Sequence, residues 1–126
     1  MTGYTKEHAE KWQDRPEIEA WPNQFEDRDY TISIAVPEFT CLCPKTGLAD
    51  FATIYIDYVP DKLCMELKSL KNYMHSYRET GVFHENVANL IRDDIINSCQ
   101  PRKLTVKAKF NTRGRLDTEV VTKYEK

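Results

Sequence analysis

The spacing of apolar residues changes twice along this chain, and this change most constrains the fold. Apolar side chains alternate with polar ones over residues 30–36 and again over 54–58, which is typical of half-buried strands. Over residues 63–99 they recur at steps of three and four, which is typical of helices. Alternation returns at 104–110 and, more weakly, at 116–124. The order is therefore β-β-α-α-β-β.

This order favours an α+β domain in which a four-stranded antiparallel sheet carries two helices on one face. Gly81 stands where the first helix would end, and Ser69 is a candidate N-cap that would leave Glu66 and Lys68 in the preceding loop. The second helix is expected to close before Pro101. Because such a sheet has two open edges, we expect copies to pair into a closed barrel, which would make a ring-shaped homo-oligomer.

Length and charge narrow the class of protein. A chain of 126 residues with 18 basic and 20 acidic side chains suits one domain and gives no reason to expect a nucleic-acid or membrane surface. The first residues of the chain lack the apolar core of a signal peptide, and no run approaches the ~20 apolar residues of a membrane span. Four cysteines are too few for a disulfide framework. We therefore expect a cytoplasmic protein. Residues 1–28, with Trp12 and Trp21, are predicted to be an N-terminal arm, and 29–126 the folded domain.

The turn between the first two strands carries the first candidate chemistry. Cys43 precedes Pro44, which favours an extended backbone and a thiol at the sheet edge. Lys45 is a cation of the kind that favours a thiolate. Asp50 begins the next apolar run, so an antiparallel return would bring its carboxyl group back beside Cys43. A nucleophile with a proton donor is one interpretation; a buried structural cysteine with a turn aspartate, or a zinc site, is also open.

Further charged residues have two interpretations each. Lys68 and Lys71 would share a helix face, as solvated charges or as ligand contacts. After His84, Glu85 either suits the first turn of a helix or accepts two parallel N–H bonds from a guanine-like ring. Arg113 is either a charge at a hairpin tip or a phosphate contact.

Four motifs together resemble a known family. They are LCPKTG at 42–47, DFA at 50–52, ELKSLK at 66–71 and FHE at 83–85. In this order they are similar to the single-domain class of NADPH-dependent 7-cyano-7-deazaguanine reductases, the nitrile reductases of queuosine biosynthesis, which have the tunnelling fold. The resemblance implies that fold, NADPH as cofactor, a deazaguanine nitrile as substrate, no metal, and sites at the subunit interfaces of a homo-oligomer.

The resemblance also implies a role for each matching residue. Cys43 would add to the nitrile carbon while Asp50 protonates the nitrogen, and two hydrides would then reduce the resulting thioimide to the amine. The implied binding residues are Glu66, Leu67, His84 and Glu85 for the deazaguanine, and Lys68, Lys71 and Arg113 for NADPH.

Two other functions compete with the reductase. A zinc-dependent cyclohydrolase of the same fold class would need a ligand set around an open zinc position. The candidates are Cys41, Cys43, Cys64, His75 and His84, and they lack recognisable ligand spacing. A non-catalytic module that binds a purine-like ligand is the second alternative, and replacing Cys43 would change no chemistry in it.

Overall fold

The computed structural model describes residues 15–114 and 116–126, with the side chain of Arg113 left out. The strands are β1 (Ala20–Pro22), β2 (Ile32–Leu42), β3 (Ala49–Val59), β4 (Leu63–Met65), β5 (Lys103–Arg113) and β6 (Leu116–Glu125), and the helices are α1 (Leu67–His75) and α2 (His84–Cys99). The long elements follow the predicted order. The three-residue strands β1 and β4 are additional.

Four long strands form an antiparallel sheet in the order β2-β3-β5-β6. The alternating residues Ile54, Ile56 and Tyr58 of β3 are buried. They join a core to which β5 and both helices contribute. The α+β class and the antiparallel sheet with two helices on one face are therefore confirmed, and β2 and β6 are the edge strands of this sheet.

The predicted limits of the first helix were wrong. Glu66, not Ser69, is the N-cap, and its two carboxylate oxygens accept the N–H groups of Lys68 at 2.7 Å and Ser69 at 2.8 Å. Lys68 is therefore inside α1 rather than in the loop. The helix ends at His75 and not at Gly81, because residues 76–80 turn back toward the end of β2.

Backbone hydrogen bonds explain the early end of α1. Leu42 N–H donates to Thr80 O at 3.0 Å, and Val82 N–H donates to Leu42 O at 3.0 Å. Gly81 thus forms a parallel bridge with Leu42 instead of capping a helix. The second helix agrees with the prediction, since it ends at Cys99, with Gln100 in the left-handed region at φ 48°. The bridge brings the start of α2 next to the end of β2.

The described part of the predicted arm is attached to the domain. Its strand β1 pairs with β4, Arg15 Nε donates to Asp94 Oδ2 at 2.6 Å, and Glu19 N–H donates to Ser69 Oγ at 2.8 Å. This segment therefore supports the first turn of α1. Residues 1–14, with Trp12, lie outside the described residues.

None of the helices in residues 15–114 and 116–126 is long and apolar enough to cross a bilayer.

The Glu66 cap gives a prediction about stability. Backbone N–H groups of Lys68 and Ser69 hold the pKa of Glu66 below its usual value, so its contribution is present at neutral pH and is lost as the pH falls through the lowered value. Glu66→Gln should therefore lower the melting temperature at pH 7, and the difference from wild type should be smaller at an acidic pH at which the Glu66 carboxyl group is protonated. Thermal unfolding followed by circular dichroism checks this. An equal difference at both pH values would contradict it.

Candidate active site

The turn that follows β2 holds Cys43 at its mouth. Cys43 N–H donates to Leu48 O at 2.8 Å, and Gly47 N–H donates to Cys43 O at 2.8 Å. Gly47 has φ 72°, a conformation that glycine adopts without strain, and Leu48 N–H donates to Thr46 Oγ1 at 3.2 Å. The Cys43 thiol is free of disulfides and half-buried. The turn thus presents a reduced thiol that a small molecule can reach.

Asp50 lies directly opposite Cys41 in the β2–β3 ladder. Since Cys43 bonds to Leu48, Asp50 is diagonal to Cys43 on the same face, where neighbours lie roughly 7 Å apart. The Asp50 side chain is only 4% exposed. Burial, and then the nearby charges of Asp50 and Cys43, raise the pKa of Cys41 to about 12. Cys41 therefore stays a thiol at neutral pH, and Cys43 is the thiol suited to be a nucleophile.

His84 links Asp50 to two other elements. It is the first residue of α2, and its Nε2 lies 3.1 Å from Asp50 Oδ2. Its ring is stacked on the ring of Phe110 from β5, with centroids 3.6 Å apart and planes inclined by 6°. A buried carboxyl group needs a hydrogen-bonding partner, and this imidazole supplies one. The arrangement can hold and deliver a proton close to the Cys43 thiol.

Glu85 and Arg113 lie at the same end of the sheet. Glu85 is exposed in the first turn of α2, next to His84. Arg113 is the last residue of β5, three positions after Phe110, and its side chain is outside what the structure describes. We call Cys43, Asp50, His84 and Glu85 the Cys43 cluster.

The remaining predicted site residues lie at the start of α1, whose N-cap Glu66 is near the other end of the sheet. Asp50 and Tyr58 are eight residues apart on β3, which is roughly 25 Å at the rise of a strand. The N–H of Met65, the residue before Glu66, donates to Tyr58 Oη at 3.0 Å. Within one chain, Glu66 is therefore well separated from Asp50. Glu66, Leu67, Lys68 and Lys71 are called the α1 group.

The α1 group presents an anion and two cations. The lowered pKa of Glu66 keeps its carboxylate charged, and each oxygen retains acceptor capacity beyond its one N–H bond. Leu67 is 61% exposed, and Lys68 and Lys71 are exposed one turn apart. An anchoring carboxylate beside two lysines suits a ring with N–H donors next to a phosphate-bearing ligand.

An open groove of about 330 Å³ runs between edge strand β2 and α1. Its walls include Val36 from β2 and Leu67, Lys71 and Arg78 from α1 and the turn after it. Leu67 and Lys71 of the α1 group therefore face the edge strand β2, which is open to pairing with another chain.

The described residues contain no group of three or more His, Cys, Asp and Glu side chains that could hold a metal ion. The zinc ligands considered above, Cys41, Cys43, Cys64, His75 and His84, thus do not converge within this part of the chain.

Two site features escaped the sequence reasoning. Phe110 was predicted only as the last residue of the alternating strand 104–110, and Cys41 only as one of the candidate zinc ligands. Phe110 and His84 are far apart in sequence, and only the packing of α2 over β5 joins them. Alternation predicts that Phe110 points inward, but it does not identify its partner.

The thiol and the buried carboxyl–imidazole pair form the kind of site expected of a thiol-dependent enzyme. A family model described as "QueF-like protein" matches residues 49–126. A protein of Elusimicrobium minutum named NADPH-dependent 7-cyano-7-deazaguanine reductase is 55% identical over 126 residues, covering 98% of this chain and 95% of the relative. A protein of the same name from Chlorobaculum tepidum is 54% identical over 109 residues, covering 86% of this chain and 93% of the relative. The chain belongs to the QueF-like protein family, which confirms the resemblance read from its motifs.

A solved structure supports the fold. The crystal structure of the archaeosine synthase QueF-Like in the apo form matches with a TM-score of 0.69 at 19% identity, over 74% of this chain and 91% of that one. At this identity the likeness concerns the fold alone.

The burial of the cysteines predicts which of them reacts. Burial raises the pKa of both Cys41 and Cys99 to about 12, and Cys64 is also buried. Brief treatment of the native protein with iodoacetamide should therefore alkylate Cys43 first, with the other three thiols more than about tenfold slower. Peptide mass spectrometry, with unfolded protein as the control for full reactivity, measures this. Faster labelling of Cys41 than of Cys43 would contradict the account.

Proposed function

We propose that this chain catalyses the NADPH-dependent reduction of the nitrile of 7-cyano-7-deazaguanine to 7-aminomethyl-7-deazaguanine, a step of queuosine biosynthesis in the cytoplasm. The observation that carries the proposal is the 55% identity, over nearly the whole of both chains, to a relative named for this reductase activity. The accessible thiol of Cys43 beside the buried Asp50–His84 pair supports it.

Cys43 supplies covalent catalysis in this proposal. Its thiolate adds to the nitrile carbon, one C–N π bond breaks, and the nitrogen takes a proton, which gives a thioimide. The thioimide accepts hydride more readily than the nitrile does. After one reduction the C–S bond breaks, Cys43 leaves as a thiolate, and the imine that remains is reduced to the amine.

Asp50 is the proton donor for the nitrile nitrogen. Its position diagonal to Cys43 puts its carboxyl group on the side of the sheet where the adduct forms. The contact with His84 at 3.1 Å holds a proton between the two side chains, so that the pair can give it up as the C–S bond forms. The burial of Asp50 keeps bulk water away from this transfer.

NADPH, when bound, supplies the hydrides. Lys68 and Lys71 fit its phosphates, because they are exposed, one helical turn apart, and without an ion pair among the described residues. Glu66, Leu67, His84 and Glu85 are assigned to the deazaguanine ring, with the two carboxylates accepting its N–H groups. Arg113 is assigned to NADPH through the resemblance alone.

A complete site requires two chains in this proposal. Cys43 and Glu66 lie near opposite ends of the sheet, whereas a single ring with its nitrile must touch both. The edge strands β2 and β6 are open to pairing, and pairing of copies into a closed barrel removes exposed edges. In such a barrel the Cys43 cluster of one chain lies next to the α1 group of the neighbouring chain.

The activity has a direct assay. Wild type should oxidise two NADPH per nitrile, because a nitrile is four electrons above the amine and each hydride carries two. Cys43→Ala should abolish this consumption, and Cys41→Ala, which removes the neighbouring thiol, should retain most of it. NADPH absorbance with product quantification measures both. No nitrile-dependent consumption by folded wild-type protein would refute the reductase assignment.

Subunit mixing tests the shared site. Oligomers of Cys43→Ala or of Glu66→Gln should each have little activity, whereas co-expression of the two, each with its own tag, should restore part of it. In mixed oligomers some interfaces combine an intact Cys43 from one chain with an intact Glu66 from the next. Mixed oligomers isolated through both tags that remain inactive would contradict a site built from two chains.

A further inference from the structure

The closest contact between rings in the site involves a residue that the proposed mechanism does not use. The Phe110 ring lies 3.6 Å from the His84 ring and nearly parallel to it. Phe110 is 3% exposed and pairs with Ala52 of β3. Because the side chain of Ala52 is small, this row of the sheet leaves room for the imidazole.

The imidazole needs support from outside its own helix. His84 is the first residue of α2, and its N-cap, Phe83, makes no side-chain capping bond. Rotation about the bond to an imidazole ring has a broad energy profile, so the backbone alone does not fix the direction of Nε2. The buried Phe110 ring lies parallel to the imidazole and limits this rotation, so the plane of the imidazole is fixed. In this plane Nε2 lies 3.1 Å from Asp50 Oδ2.

We propose that Phe110 is a positioning residue for the reaction: its ring holds the His84 imidazole in the plane that directs Nε2 at Asp50, and so orients the proton donor toward the nitrile nitrogen. The inference rests on the proposed reductase function. In this proposal Phe110 contacts neither the Cys43 thiol nor the deazaguanine ring, and it acts only through His84.

This role separates two steps of the reaction. Formation of the C–S bond requires the proton from Asp50, so loss of the stack should slow formation of the thioimide. Binding of the nitrile before that bond forms depends mainly on Glu66, Leu67 and Glu85, with His84 as one contact of four, and should change little. A purely structural role of Phe110 would weaken both steps together.

The test substitutes Phe110→Leu, which keeps an apolar side chain but removes the ring plane. Phe39→Leu is the matched control, because Phe39 pairs with the same Ala52, is 2% exposed, and contacts Tyr77 with ring centroids 5.2 Å apart instead of touching His84. The rate of covalent adduct formation with 7-cyano-7-deazaguanine is followed by rapid quenching and intact mass, without NADPH. Nitrile affinity is measured by calorimetry in a Cys43→Ala background.

We expect Phe110→Leu to slow adduct formation by between about tenfold and a hundredfold, while nitrile affinity changes by less than about twofold. Phe39→Leu should leave both quantities near wild type. In a His84→Asn background, Phe110→Leu should have no further effect, because the two residues act as one unit. An equal loss in Phe39→Leu, an undiminished effect in the His84→Asn background, or an unchanged adduct rate in Phe110→Leu would overturn the inference.

These outcomes are distinct from failure of the proposed function. If wild type forms no adduct and consumes no NADPH with the nitrile, the reductase assignment fails. If wild type is active and Phe110→Leu matches it, only the positioning role fails.

Discussion

The buried carboxyl group of Asp50 is the constraint on which the rest of the site depends. A carboxyl group taken out of water needs a partner to offset its desolvation, and His84 provides that partner at 3.1 Å. This contact fixes the start of α2 over the beginning of β3. The stack of His84 on Phe110 extends the connection to β5. One polar contact therefore ties together the elements that surround the Cys43 turn.

The same architecture supports the proposal that a complete site is shared between two chains. The ladder between β2 and β3 holds Cys43 and Asp50 at one end, while β1 and the Glu66 cap hold α1 at the other. Hydrogen bonds hold both Cys43 and Glu66 in place, so neither can cross the length of the sheet to meet the other. Open edges on the sheet supply the means of bringing copies together. In this proposal, catalysis and assembly therefore depend on the same strands.

The sequence predicted the strands and turns that local residue patterns determine. It did not predict features that depend on contacts between residues far apart in the chain. Alternation located β3 and β5 correctly because each buries one face, and Pro44 with Gly47 marked the turn. The spacing of apolar residues at steps of three and four suggested a helix up to Gly81. The bridge between Gly81 and Leu42 ends the helix earlier. The stack of Phe110 on His84 has no local signature, because it exists only once α2 lies on the sheet.

The most direct test of the account is a crystal structure of the assembled protein with 7-cyano-7-deazaguanine. The account predicts a bond between Cys43 Sγ and the former nitrile carbon, with the carboxyl group of Asp50 within hydrogen-bond distance of the nitrogen. It also predicts that the ring contacts Glu66 of a neighbouring chain. A nitrile bound without a bond to Cys43, or a ring held by Glu66 and Cys43 of the same chain, would contradict it.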